Sequence, residues 1–197
     1  MPIFIIVGTV NPSYQNAEGR DAAITPLFGG STLAIDAKLF QFWVHLKRNQ
    51  VKSVLDQSSR NELINRINML DENSKAQWGQ MNIFQMLKHC VLCEEHYLGK
   101  TSHKRAFMGR LFGKAGLKNI LREDKSFPKS APTSTAFKVK EEIGDVESEK
   151  RRWIALIEEY GNYSHDFEHW FFGKMTKEQV GQFVYKHNDH HLRQFNV

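Results

Sequence analysis

MTKEQVGQFVYKHNDHHLRQF, Met175 to Phe195, is the stretch on which the reading of this chain turns. Thr176 with Gln179 three residues on is a capping box, in which side chain and backbone satisfy each other's free groups and a helix begins. On a helix, Val180, Phe183, Val184, His187, His191 and Gln194 then share one broad face. That face is apolar until it reaches the histidines. His187 and His191 are four apart, so their rings lie one above the other and can grip one metal ion. His190 flanks the same face. The competing reading is a solvated or merely packed histidine cluster.

A chain of 197 residues is long enough for one domain with a real core. Its 41% hydrophobic and 25% charged residues are ordinary for a globular protein, and no apolar run is long enough to cross a bilayer. The opening MPIFIIVGTVNPSY has no basic start and no small-residue cleavage pattern, so it is a poor signal peptide. Cys90 and Cys93 fall inside one expected helix, a spacing that suits neither a strain-free disulfide nor a secreted framework, and a cytoplasmic location is expected. The net charge of +5 raises nucleic acid or an acidic membrane surface as partners. Much of it comes from Lys100–Arg122, where Lys100, Lys104, Arg105, Arg110, Lys114, Lys118 and Arg122 meet no acid. No nucleic-acid motif and no aromatic platform for bases accompanies them, so a solvated basic surface is expected, with neither nucleic acid nor membrane as partner. An anion or acidic-substrate site is the alternative.

Residues 1–50 differ from the rest. IFIIV suggests a short strand, Pro12, Gly19, Pro26, Gly29 and Gly30 punctuate without period, and residues 33–50 form one amphipathic pattern through Leu39, Phe42, Trp43 and Leu46. They are either an N-terminal extension or the product of an upstream start codon, with the second slightly favoured. From residue 51 onward four helices are expected. The first opens at a Ser59–Glu62 capping box and carries Leu63, Ile64, Ile67 and Leu70. The second is MNIFQMLKHCVLCEEHYL, ended by Gly99. A long crossover follows, with a short basic helix or two over Arg105–Leu121 and a loop at KSFPKSAPTST. Asp145 or Ser148 caps the third, whose Trp153, Leu156, Ile157 and Tyr160 face inward before Gly161. NYSHDFEHWFFGKM reads as an aromatic loop, and the opening stretch is the fourth helix. The expectation is an all-α fold: an up-and-down four-helix bundle with a long crossover between the second and third helices.

Two histidines rarely hold a metal firmly, and catalytic zinc-type sites have three protein ligands and an open position. The second helix offers His89, Cys93 and His96 near one face. His89 is the leading candidate for the third ligand, with Cys93 and His96 as alternatives and Cys90 as plain packing. A lone histidine on such a face is more often a hydrogen-bonded core residue.

WGQMNIFQMLKHC at Trp78–Cys90, HWFFGKMT at His169–Thr176 and YKHNDHHLRQF at Tyr185–Phe195 carry a family resemblance. From Lys52 to the C-terminus, about three quarters of the chain, the sequence resembles the DinB/YfiT-like metal-binding four-helix bundles, in particular an uncharacterised subgroup with these phrases. Trp170 stands where that subgroup often has proline, and residues 1–51 have no counterpart. The resemblance implies an ion held by His89, His187 and His191, with His190 beside them.

Three neutral imidazoles would leave zinc or nickel its full charge, able to lower the pKa of a bound water to about 7 or to hold a thiolate ready for attack. The wider superfamily includes enzymes that use low-molecular-weight thiols, so the resemblance implies thiol-dependent transfer or hydrolysis on a small molecule, without choosing between them. A non-catalytic stress-response module with a structural or vestigial ion is the alternative. His169, Asp166, Glu168, Asp189 and Gln194 are candidates to orient the ligands, His169 and His190 candidates for proton transfer, and Arg193 for holding an anionic substrate or thiol cofactor. Phe171 and Phe172 are expected to seal the bundle end. The apolar ends of such bundles allow a homodimer.

Overall fold

The structure is a computed structural model that describes residues 51–129, 131 and 133–197. The strand expected at IFIIV, the amphipathic helix of residues 33–50 and the status of the N-terminal extension lie outside the described residues. The described chain is mostly helical. Its helices are α1 (Gln57–Asn68), α2 (Ile83–Tyr97), α3 (Phe107–Ile120), α4 (Val146–Glu159) and α5 (Lys177–Gln194). Single 3₁₀ turns occur at Thr135–Phe137 and Tyr160–Asn162.

Local chemistry explains most of the boundaries. Asn82 and Gln85 form a complete capping box at the start of α2, and Thr176 and Gln179 do the same for α5. Asp145 caps α4 by accepting from the Ser148 backbone N–H at 2.8 Å. Gly99, with φ +74°, takes the left-handed position just past α2. The start expected at Ser59 is wrong by more than half a turn. α1 begins at Gln57 after Asp56, and Ser59 is buried within it. The Glu62 carboxylate that was to close the box is drawn elsewhere, to the Lys52 ammonium at 2.6 Å and the Tyr185 hydroxyl at 2.9 Å.

Contacts between elements give the helix directions. The Val54 N–H, just before α1, donates to the Gly181 carbonyl early in α5, and Arg66 near the end of α1 pairs with Asp189 later in α5. These two helices are parallel. The Gln77 N–H, before α2, donates to the Gln194 carbonyl at the end of α5 (2.7 Å), while Tyr97 at the end of α2 packs on Phe183. α2 is therefore antiparallel to α5. Asn82 donates to the Glu142 carbonyl just before α4, and Tyr160 just after α4 donates to Glu94 near the end of α2, so α4 runs with α2. The heavier packing joins α1 to α4 and α5, and α2 to α4 and α5. Strict alternation of direction, expected for an up-and-down arrangement, is not followed. The order is up, down, down, up, because the crossover between α2 and α4 is long enough to return the chain to the end from which α2 started.

The aromatic stretch expected as a loop is a hairpin. β1 (Phe167–His169) pairs antiparallel with β2 (Gly173–Met175), His169 opposite Gly173, whose φ of +79° closes the three-residue turn. Phe167, His169, Gly173 and Met175 are buried on one side. Between the long helices, Leu63, Ile67, Met86, Leu87, Ile157 and Leu192 are almost wholly removed from water. Each such side chain contributes roughly 1.5–3 kcal/mol relative to exposure.

Candidate metal centre

His89 on α2 and His187 and His191 on α5 meet where these two helices pack. Ring centroids are 5.6 Å apart for His89 and His187, 4.9 Å for His89 and His191, and 4.8 Å for His187 and His191. All three are buried. Helical spacing puts two of them one turn apart, and the antiparallel seating of α2 brings the third to the same level.

Neighbouring groups set which nitrogen of each ring is available. His89 Nδ1 lies 2.8 Å from the Phe137 carbonyl, which can only accept, so Nδ1 carries the hydrogen and Nε2 keeps its lone pair. The Gln194 amide nitrogen donates to the Trp78 carbonyl at 2.8 Å, which turns its oxygen toward His191 Nδ1 at 3.0 Å. His191 is thereby also protonated at Nδ1, with Nε2 free. His187 Nδ1 is buried and has no hydrogen-bond partner among the described residues. An unpartnered polar nitrogen in such surroundings costs about 1–3 kcal/mol. Burial pushes all three imidazoles below their ordinary pKa, and for His187 and His191 the neighbouring rings add to it. The nest is neutral at pH 7, the state in which imidazole binds a metal.

Cys93, one turn beyond His89, joins this group. Its Sγ is 3.6 Å from His89 Nε2. Donor atoms of His89, Cys93 and His187 all lie within 4.8 Å of one another. Burial, and then the nearby Glu94, push the Cys93 thiol well up, so without a cation it stays protonated. Cys90 is free and fully buried against Met86, as plain packing. His96 faces elsewhere: its Nδ1 donates to the Thr101 carbonyl at 3.2 Å and its ring lies against His103 and Phe167.

The other residues singled out from sequence divide sharply. Gln194 does orient a ring. His190 lies at the rim, against Trp78 and Phe127, its pKa lowered by burial and then by Arg193. His169 is tied into the hairpin, its Nδ1 accepting from the backbone N–H groups of Phe171 (3.0 Å) and Phe172 (3.2 Å). Burial, with His96 nearby, lowers its pKa to about 3. With that lone pair engaged, His169 pins the turn and is not available there to shuttle protons. Asp166 and Glu168 are exposed, Glu168 facing Arg105 at 3.5 Å. Asp189 pairs with Arg66 and Arg193 on the outer side of α5, and Arg193 lines a polar surface cleft of about 490 Å³ apart from the histidines. The separation is a matter of helical phase: Asp189 and Arg193 are each two residues from a nest histidine, about 200° around the helix. The Phe137 carbonyl was not foreseen, because a backbone oxygen in an irregular crossover leaves no mark in the sequence.

Behind the nest lies a second buried polar group. Tyr160 donates to Glu94 at 2.5 Å, and Trp153 Nε1 donates to Asn188 Oδ1 at 3.1 Å. Burial raises the Glu94 carboxyl to about 7 against the lowering pull of Tyr160 and Asn188.

Residues 49–197 match the model of a family described as a protein of unknown function, DUF1569, and the chain belongs to that family. No curated protein and no solved structure matches it. Among the described residues no helix is long and apolar enough to cross a membrane.

Proposed function

We propose that the protein is a metal-dependent enzyme of the DinB/YfiT-like superfamily, with α1, α2, α4 and α5 as its four-helix bundle. In this reading His89, His187 and His191 hold a divalent transition metal, zinc or nickel. The observation that carries it is the nest itself: three buried neutral imidazoles from two helices, two left without a proton at Nε2 by a hydrogen bond at Nδ1 and one with a nitrogen unpartnered among the described residues. Such outer partners are what fix the rings of metal-binding histidines. The ion would supply Lewis acidity toward a small-molecule substrate and the charge that keeps a thiol co-substrate ionised, for thiol-dependent transfer or hydrolysis. The Phe137 carbonyl and Gln194 orient the donors. Trp78, Phe127 and His190 form the rim a substrate meets, and the aromatic rings exclude water from the nest.

A second reading has its own support. With the Cys93 thiol within 4.8 Å of the His89 and His187 donors and the histidines hardly exposed, His89, Cys93 and His187 suit a closed structural ion. Metal analysis of purified protein, chelation, and a thiol-transfer and hydrolysis screen separate the two. An enzyme stays folded on chelation and loses turnover. Unfolding on chelation, with no turnover for any thiol tried when the metal is present, overturns the catalytic reading.

A further inference from the structure

α3 is packed the wrong way round for a helix buried against its own protein. Its inward face is Gly109, Gly113 and Leu117. The two glycines let the helix lie directly on the hairpin turn: a Cβ at either position would come within 2.3 Å of the Phe171 carbonyl oxygen. The large apolar residues point the other way. Phe107 is 73% exposed, Met108 53%, Leu111 63% and Phe112 55%. At 100° per residue these four cover one continuous arc opposite the glycines.

Arg110, Lys114 and Lys118, four residues apart, run obliquely past one side of that arc, with Lys118 in line with Leu111 two turns further on. Among the described residues these three form no salt bridge, whereas Arg105 and Arg122 are engaged by Glu168 and Asp124. Lys114 and Lys118 continue into a cleft of about 440 Å³ shared with Arg122 and Lys174. An apolar stripe on a short helix beside unpaired cations is the pattern of a helix that lies in the plane of a lipid interface, side chains in the acyl boundary and cations at the headgroups.

We propose that α3 docks the protein reversibly on an anionic phospholipid surface. Charge selects this occupant. A second copy would set one cationic edge against another, and a nucleic-acid backbone would satisfy the cations but leave four large apolar side chains in water. The proposal is independent of the metal centre.

Co-sedimentation of the full chain with phosphatidylcholine vesicles, with and without phosphatidylserine, tests it. Binding is expected only with phosphatidylserine and should weaken as salt rises. The variant Phe107→Ser/Leu111→Ser/Phe112→Ser should lower partitioning by about tenfold or more while the melting curve is kept, since these side chains are already exposed. Arg110→Gln/Lys114→Gln/Lys118→Gln, which leaves the apolar stripe intact, should lose the preference for anionic vesicles and serves as the second probe should the triple serine variant not fold. Equal sedimentation with both vesicle types, or none with either, overturns the proposal. So does light scattering that shows a dimer dissolved by the serine substitutions in a protein that ignores vesicles.

Discussion

His89 and His187 face each other across the contact between α2 and α5 with ring centroids 5.6 Å apart, and among the described residues no carboxylate acts on either ring. Burial holds both rings below their ordinary pKa, and on His89 it outweighs the Phe137 carbonyl, which pulls the other way. The pair is stable only as neutral imidazole, and a cation shared between them would use the lone pairs the fold keeps free.

Metal retention follows from that geometry. His187→Ala/His191→Ala should abolish tight zinc or nickel retention, and His190→Ala should only weaken it, read by elemental analysis after desalting. Full metal in the double variant would sink the histidine assignment. Retention by His191→Ala combined with loss in Cys93→Ser would select the set containing the thiol.

Gln194→Ala removes the group that orients His191 and leaves the Trp78 carbonyl without its donor. Metal affinity should fall about 10–100-fold, with little change in helix content. Isothermal titration checks this, and an unchanged affinity would mean that His191 is not held by Gln194 when metal is bound.

Acid should destabilise the metal-free protein. His169 titrates near pH 3 when folded, against an ordinary value of 6.5, so between these limits the unfolded chain binds more protons. Its contribution is present above about pH 6.5 and is lost as pH falls toward 3, on the order of 3 kcal/mol by about pH 4. His96, also lowered by burial, acts in the same direction. Urea unfolding midpoints should drop over this range, and a flat profile from pH 7 to 4 would contradict the burial of these rings.

Glu94 has the opposite sign. Its folded pKa is raised to about 7 from 4.5, so the native state keeps a proton that the unfolded chain gives up, and stability from this group declines as pH rises through that window. Glu94→Gln retains an acceptor for Tyr160 and carries no charge. It should stabilise the protein by roughly 1–3 kcal/mol at pH 8 and by much less at pH 5. Equal effects at both pH values would show that Glu94 does not ionise with such difficulty.

Gly109→Ala forces a Cβ onto backbone atoms of Phe171, which cannot rotate away. A loss of roughly 1–3 kcal/mol is expected in thermal or urea unfolding. A neutral result would mean that α3 lifts off the hairpin at little cost.

Much of the helical content was written locally. The Thr176–Gln179 box, Asp145 and Gly99 act through groups a few residues away, so pattern and boundary could be read together, whereas the Asn82–Gln85 box, equally local, was passed over and the second helix expected from Met81. The Ser59 box failed because Glu62 had stronger partners, and one of them, Tyr185, lies far along the chain. The hairpin at Phe167–Met175 was hidden by aromatic residues that suit loop and strand alike.

By itself the sequence determined that His187 and His191 share a helical face, because a fixed angle per residue needs no tertiary information, and that α3 is basic, because charge is a sum over residues. Only the folded chain decided the rest. His89 and Cys93 reach the α5 histidines because α2 is seated antiparallel on α5, and the glycines rather than the large apolar residues of α3 face inward. Each depends on which surfaces exclude water together, a choice made among distant segments that no single segment encodes.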